Sequence, residues 1–176
     1  VTSANSPSLA FDIATLPSGL ITFYCGGSNT IGGNLPSDWK SLRYFECSGS
    51  NTIGGNLPSD WKSLTYFLCY GSNKISGNLP ADWKSMTNFR CWGSNTIGGN
   101  LPADWKSLTH FLCIGSNTIN GITEGAYAGN GNMSRLQLAS SNNLGGLTAE
   151  EQEFLLIGKA TRTWAGDRVF NLASPA

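Results

Sequence analysis

Charge is scarce in this chain of 176 residues: 11 Lys and Arg balance 11 Asp and Glu, with one His, for a formal net charge of zero. That balance excludes the basic field that nucleic acid or an anionic membrane surface calls for. Long apolar runs are missing too. Nothing approaches the ~20 residues a membrane-spanning helix needs, and no signal peptide is visible. Catalytic chemistry is equally thin. The single histidine, His110, has no nearby acid to complete a Ser-His-Asp set, because Asp38, Asp60, Asp82 and Asp104 fall on another side of the repeat. The cysteines lack C-x-x-C spacing, and no His/Cys cluster has metal-ligand spacing. Gly pairs recur, but none sits in a strand–helix phosphate loop. The only paired carboxylates, Glu150 and Glu151, stand at a helix start. Neither an enzyme nor a cofactor is expected. The chain opens at Val1 rather than Met, which reads as a processed product or an excised piece.

What is present is repetition. The stretch GSNTIGGNLPSDWKSL runs from Gly27 to Leu42 and returns unchanged from Gly49 to Leu64. It recurs nearly unchanged from Gly71 to Met86 and from Gly93 to Leu108. Cys25, Cys47, Cys69, Cys91 and Cys113 mark a uniform period of 22. A fixed period of this size signals a solenoid of stacked, near-identical coils. A partial unit precedes the clean ones, with Leu20, Phe23, Cys25, Asn29 and Ile31 in register. A degenerate unit follows a three-residue insertion, with Met133, Leu136, Leu138, Asn142 and Leu144. About six coils result. Within each, F-x-C has the period of a strand. The Pro of L-P-x-D-W-K suits the start of a short helical or 3₁₀ turn, and the Asp favours that start.

The pattern L-x-x-F-x-C-x-x-x-N-x-I resembles the leucine-rich-repeat family, whose units carry L-x-x-L-x-L-x-x-N-x-L around a strand and an Asn turn. The resemblance covers about Leu20 to Leu144, and the N-x-I-x-G-x-L-P tail is similar to the plant-type subclass. The wording LTYF-C-GSNTI-G is similar to repeat proteins of Bacteroidetes bacteria and their phages. Departures are a Cys at the third Leu position, one extra residue before Asn, and a short unit. The family implies a right-handed repeat solenoid, with a parallel β-sheet on the concave side and short turns or 3₁₀ on the convex side. At ~4.8 Å per coil the stack would span about 30 Å.

Strand alternation turns Phe23, Phe45, Phe67, Phe89 and Phe111 inward as an aromatic spine, with the cysteines beside them as buried free thiols. A metal ladder or disulfides would need Cβ atoms that converge between parallel strands. The Asn column, Asn29 to Asn117, is expected to pair turn backbone, as it does in the family. Trp39, Trp61, Trp83 and Trp105 are expected to pack on the convex side of the core; a row of surface Trp stacking sugars is the alternative. Thr30, Thr52, Thr96 and Thr118 also align, but Lys74 interrupts them, which argues against a flat ice-binding array.

The repeat serves as its own alignment. Variation concentrates on three strand positions that share the face opposite Phe and Cys. They read Tyr44, Glu46, Ser48; Tyr66, Leu68, Tyr70; Asn88, Arg90, Trp92; His110, Leu112, Ile114; the first unit adds Thr22, Tyr24 and Gly26. In the family this is the concave binding surface. The candidate binding residues are Tyr24, Tyr44, Glu46, Tyr66, Leu68, Tyr70, Asn88, Arg90, Trp92, His110, Leu112 and Ile114. Aromatics with Arg are what interface cores enrich, and apolar patches of this extent mark partner sites. The expected function is non-catalytic recognition of a protein or cell-surface glycan, in a phage fibre or bacterial surface adhesion protein. The alternative is a structural subunit of a virion or filament whose sheet packs on a neighbouring chain, by self-association. An extracellular, cell-surface or virion location follows, with no nucleic acid, no metal and no membrane insertion.

Three segments are expected: an N-terminal cap over residues 1–18, the solenoid over 19–146, and a C-terminal cap over 147–176. Leu9, Phe11, Ile13 and Leu16 would cover the first coil. Thr148-Ala-Glu-Glu151 matches a capping box that opens a helix to about Lys159, followed by a short strand near Val169 and Leu172. Similar tails run further, so the ending at Ser174-Pro-Ala176 reads as a cut.

Overall fold

The computed structural model describes residues 9–122, 135–138 and 169–172. Two parallel sheets wind along one stack. The first takes a strand from each coil: β1 (Thr22–Cys25), β2 (Tyr44–Cys47), β4 (Tyr66–Cys69), β6 (Asn88–Cys91), β8 (His110–Cys113), β10 (Arg135–Leu138) and β11 (Val169–Leu172), in that spatial order. The second contains β3 (Gly54–Asn56), β5 (Lys74–Asn78), β7 (Thr96–Leu101) and β9 (Thr118–Ile122). Four coils thus contribute a strand to both sheets. The expected final strand near Val169 joins the first sheet beside β10, with Leu136 opposite Phe170. The expected C-terminal helix and the cap around it lie outside the described residues.

The second sheet adds to the short turns expected on the far side. Its strands form because the x-Ile-x-Gly step buries Ile53, Ile75, Ile97 and Ile119 while extended backbone pairs from coil to coil. The return segments after it are the expected turns: Trp61 N–H donates to the Pro58 carbonyl at 3.4 Å and Leu64 N–H to the Trp61 carbonyl at 3.0 Å. A 3₁₀ helix occurs at Ile13–Thr15, capped by the Asp12 side chain, which accepts from Ala14 N–H at 2.8 Å.

The core is a set of files, one residue per coil. Phe rings stack at centroid distances of 5.3, 5.2, 5.0 and 5.4 Å. The Trp rings, all buried, stack at 5.8, 6.1 and 6.1 Å. Burial of Trp61, Trp83 and Trp105 includes a hydrogen bond, since each indole N–H donates to the proline carbonyl of the preceding coil at 2.8–2.9 Å. Their burial rules out the surface-Trp alternative. The five cysteines are buried free thiols beside the Phe file.

The Asn file joins the coils at their tightest turn. Asn51, Asn73, Asn95 and Asn117 are fully buried. Asn73 Oδ1 accepts from Ile53 N–H of the preceding coil at 3.1 Å, and its Nδ2 donates to the Tyr70 carbonyl at 2.8 Å. The Cys47 thiol points at the same Oδ1, 3.2 Å away. The bonds repeat at Asn51, Asn95 and Asn117, so each buried turn has its polar backbone satisfied by one side chain.

Candidate functional site

The variable residues lie where alternation puts them. Along β2, β4, β6 and β8 the burial pattern is half-buried, buried, half-buried, buried, with Phe and Cys at the buried places. Three parallel files result on the outer face of the first sheet. Tyr44, Tyr66, Asn88 and His110 form one by register; Glu46, Leu68, Arg90 and Leu112 form the middle one. Tyr70, Trp92 and Ile114 follow on the third, each donating its N–H to the cysteine carbonyl of the coil before. The register also carries the first two files on to Arg135, opposite His110, and Gln137, opposite Leu112. In the sequence, the L-x-L spacing of Leu136 and Leu138 in the degenerate unit is the signal for those two positions.

The panel is half-buried rather than fully exposed, because its residues cover one another. Tyr44 and Tyr66 stack at 4.3 Å with 4° between planes, and Tyr70 and Trp92 at 4.4 Å with 8°. Tyr24, at the end of the stack, is 42% exposed. Ser48 departs from the pattern and is buried. The Tyr44 hydroxyl donates to Glu46 Oε2. Burial, with Glu46 adding its hydrogen bond and charge, pushes the Tyr44 phenol well above its ordinary range. His110 Nδ1 lies 3.0 Å from Thr109 Oγ1. Asn88 Oδ1 is buried without a hydrogen-bond partner between Tyr66 and His110. Among the described residues no cluster of three His, Cys, Asp or Glu could hold a metal.

Ring spacing gives the curvature. It widens from 4.3–4.4 Å on the panel to 5.0–5.4 Å in the Phe file and 5.8–6.1 Å in the Trp file. Coils that are closest at the first sheet and furthest apart at the returns put the panel on the inside of the bend.

Solved structures share this arrangement. The plant peptide hormone receptor RGFR1 in complex with RGF2 aligns at 25% identity and a TM-score of 0.52, over 64% of this chain and 19% of that one. The LRR ectodomain of the receptor kinase SOBIR1 from Arabidopsis thaliana aligns at 23% identity and a TM-score of 0.51, over 68% of this chain and 67% of that one. This chain folds as a leucine-rich-repeat solenoid. The Arabidopsis receptor kinase HAESA, in complex with the peptide hormone IDA and the co-receptor SERK1, aligns at 18% identity and a TM-score of 0.52, over 80% of this chain and 27% of that one. The solenoid spans about 19% of the length of the hormone receptor it matches. No family model and no curated protein matches the sequence. Against the leucine-rich-repeat pattern, Cys at the third Leu position contributes a thiol directed at the Asn ladder, where Leu would contribute only volume.

Proposed function

We propose that the first-sheet panel is a non-catalytic recognition surface for a protein partner. One observation supports the reading: across coils of almost constant wording, variation concentrates on this half-exposed face, while Phe, Cys, Asn and Trp stay constant and buried. A stretch that only built the solenoid would have no reason to place Glu46, Leu68, Arg90 and Leu112 in one file. Stacked Tyr and Trp offer rigid, amphipathic area that costs little side-chain entropy on binding. The contact residues are Tyr24, Tyr44, Glu46, Tyr66, Leu68, Tyr70, Asn88, Arg90, Trp92, His110, Leu112 and Ile114. The solved neighbours include receptor ectodomains and complexes with peptide hormones, which supports a protein or peptide ligand and an extracellular setting. Within that setting, the similarity of wording to Bacteroidetes and phage repeat proteins favours adhesion at a bacterial surface or on a phage fibre, to a protein or a surface glycan. The segment boundaries at 1–18, 19–146 and 147–176 belong to the same proposal.

Tyr70→Ala and Trp92→Ala remove the stacked pair at the centre of the panel. Each is expected to weaken partner attachment at least tenfold, measured by cell or ligand binding, with an unchanged unfolding transition. Attachment that survives both substitutions in a folded protein sinks the reading. A native chain that sediments as an oligomer, and becomes monomeric in Trp92→Ala, would assign the panel to a neighbouring subunit instead.

A further inference from the structure

The centre of the panel is a lane between two aromatic walls. Its floor is the middle file, Glu46, Leu68 and Arg90, held in register by β2, β4 and β6. On one side stand Tyr44 and Tyr66, stacked at 4.3 Å; on the other stand Tyr70 and Trp92, stacked at 4.4 Å. The walls are staggered by one coil. Asn88 follows Tyr66 in the first file without a ring, and Ser48, one coil before Tyr70, is buried. Both walls are therefore present together only beside Leu68. Tyr66 and Tyr70 are four residues apart, which at ~3.3 Å per residue sets their backbones roughly 13 Å apart. With the width of the rings taken from each side, one extended chain fits between them and two do not.

The lane is apolar at its middle and charged at its ends. Among the described residues the ion pairs are Lys62–Asp82 and Lys84–Asp104, on the return segments, and neither Glu46 nor Arg90 joins one. Leu68 occupies the coil between these two half-buried charges. The Tyr44 hydroxyl donates to Glu46 Oε2 and so fixes the direction of the carboxylate. Beside Arg90, Asn88 carries an amide whose Oδ1 is buried without a partner, so the scaffold does not pair that oxygen. Charges that have given up part of their water gain most from a partner of opposite sign.

We infer that the lane takes one extended segment of a partner protein, with a basic side chain over Glu46 and an acidic one over Arg90, three residues apart. The inference rests on the panel being a recognition surface and adds the charge and spacing of its ligand. Glu46 and Arg90 are two coils apart, twice the 4.3–4.4 Å ring spacing, or about 9 Å. A polyproline II segment rises ~3.1 Å per residue and returns to the same face every third residue, ~9 Å on. A β-strand returns to one face after ~6.6 Å or ~13 Å, and neither matches. The residues between the two charges lie over Leu68, where Tyr66 and Tyr70 offer the aromatic walls that Pro-rich segments use.

The probe is a library of displayed random ten-residue peptides. It is selected on the full chain, and peptides that also bind Trp92→Ala are discarded. The peptides kept are expected to be enriched, over the unselected library, in Lys or Arg three positions from Asp or Glu. Glu46→Gln should weaken the best of them at least tenfold in an anisotropy titration, and should abolish the effect of replacing its basic residue by Gln. Arg90→Gln should do the same for its acidic residue. In a chain carrying both Glu46→Arg and Arg90→Glu, the peptide with its two charges exchanged should bind as the original binds the native chain, an outcome that a folding defect cannot produce. Kept peptides without the charge pair, or with it at another spacing, overturn the inference and leave the panel as a recognition surface. Binding indifferent to both Glu46→Gln and Arg90→Gln does the same. If every peptide recovered also binds Trp92→Ala, the inference and the panel reading fail together.

Discussion

Trp39 and Trp83 occupy equivalent places and differ in one hydrogen bond. Trp83 Nε1 donates to the Pro58 carbonyl at 2.9 Å, whereas Trp39 Nε1 is buried with no partner. An unpaired buried donor costs about 1–3 kcal/mol, and a made bond contributes about 1 kcal/mol. Trp→Phe removes similar volume at both, so Trp83→Phe is expected to destabilise by about 1–3 kcal/mol more than Trp39→Phe in urea unfolding. Equal losses would show that the proline carbonyls contribute nothing. Asn73 is the sharper case. Asn73→Ala strands Ile53 N–H and the Tyr70 carbonyl in a fully buried turn, so a loss of about 3 kcal/mol is expected. The same change at Asn29, half-buried at the end of the file, should cost clearly less. A loss under about 0.5 kcal/mol at Asn73 would contradict the ladder as the joint between coils.

The element that forces the constant wording is the turn after each first-sheet strand. Gly71 has φ of +85°, and a Cβ there would stand 2.5 Å from the Gly49 carbonyl oxygen of the coil before. Gly27, at the start of the file, has φ of +72° and open space around it. Left-handed backbone alone costs a non-Gly residue about 1–2 kcal/mol. Gly27→Ala should therefore lose about that much, while Gly71→Ala should lose more than about 3 kcal/mol or fail to fold, compared by thermal and urea unfolding. The cysteine file sets a second behaviour. Burial pushes the thiols of Cys69, Cys91 and Cys113 above their ordinary 9.0. Groups held neutral by the fold stabilise it fully below pH 9, and the unfolded chain gains as pH rises past 9 because only its thiols ionise. Stability should then fall by about 1.4 kcal/mol per pH unit per thiol. Urea midpoints at pH 7, 9 and 10.5 measure this. Replacing Cys69 by Ala should flatten the alkaline slope by about one thiol's share; an unchanged slope would contradict it.

At the scale of the whole molecule, in-register files build a bent stack with its variable face inside. The interior was legible in the sequence, because Phe, Cys, Asn and Trp recur every 22 residues and their alternation states which way each points. The panel residues were legible for the same reason, as departures from constancy. Three features were not. The second sheet was hidden because Thr-Ile-Gly-Gly-Asn has glycines where strand formers are usual, and only pairing with the next coil makes it a strand. The continuation of the ladder through Leu9 and Phe11 was hidden because their letters diverge from the repeat, while backbone hydrogen bonds need no side-chain identity. The half-burial of the panel follows from stacking distances, which a list of residue types does not contain. The resulting rigidity bears on binding: rings already stacked lose little freedom when a partner arrives, so the Trp92→Ala effect on attachment should appear mainly in the dissociation rate.

The sequence by itself determined the period and the inward and outward places on each strand. These are local properties, set by chain geometry and residue chemistry within one coil. Only the tertiary structure decided how coils meet. It assigned the indole N–H of Trp61, Trp83 and Trp105 and the Oδ1 of each buried Asn to the neighbouring coil, and it drew the panel onto the inner side of the bend. At Leu9 it continued the ladder beyond the first recognisable unit, with the Leu9 N–H on Asn29 Oδ1. Those outcomes depend on distances between residues about 20–26 positions apart in the chain, and such distances exist only once the coils are stacked.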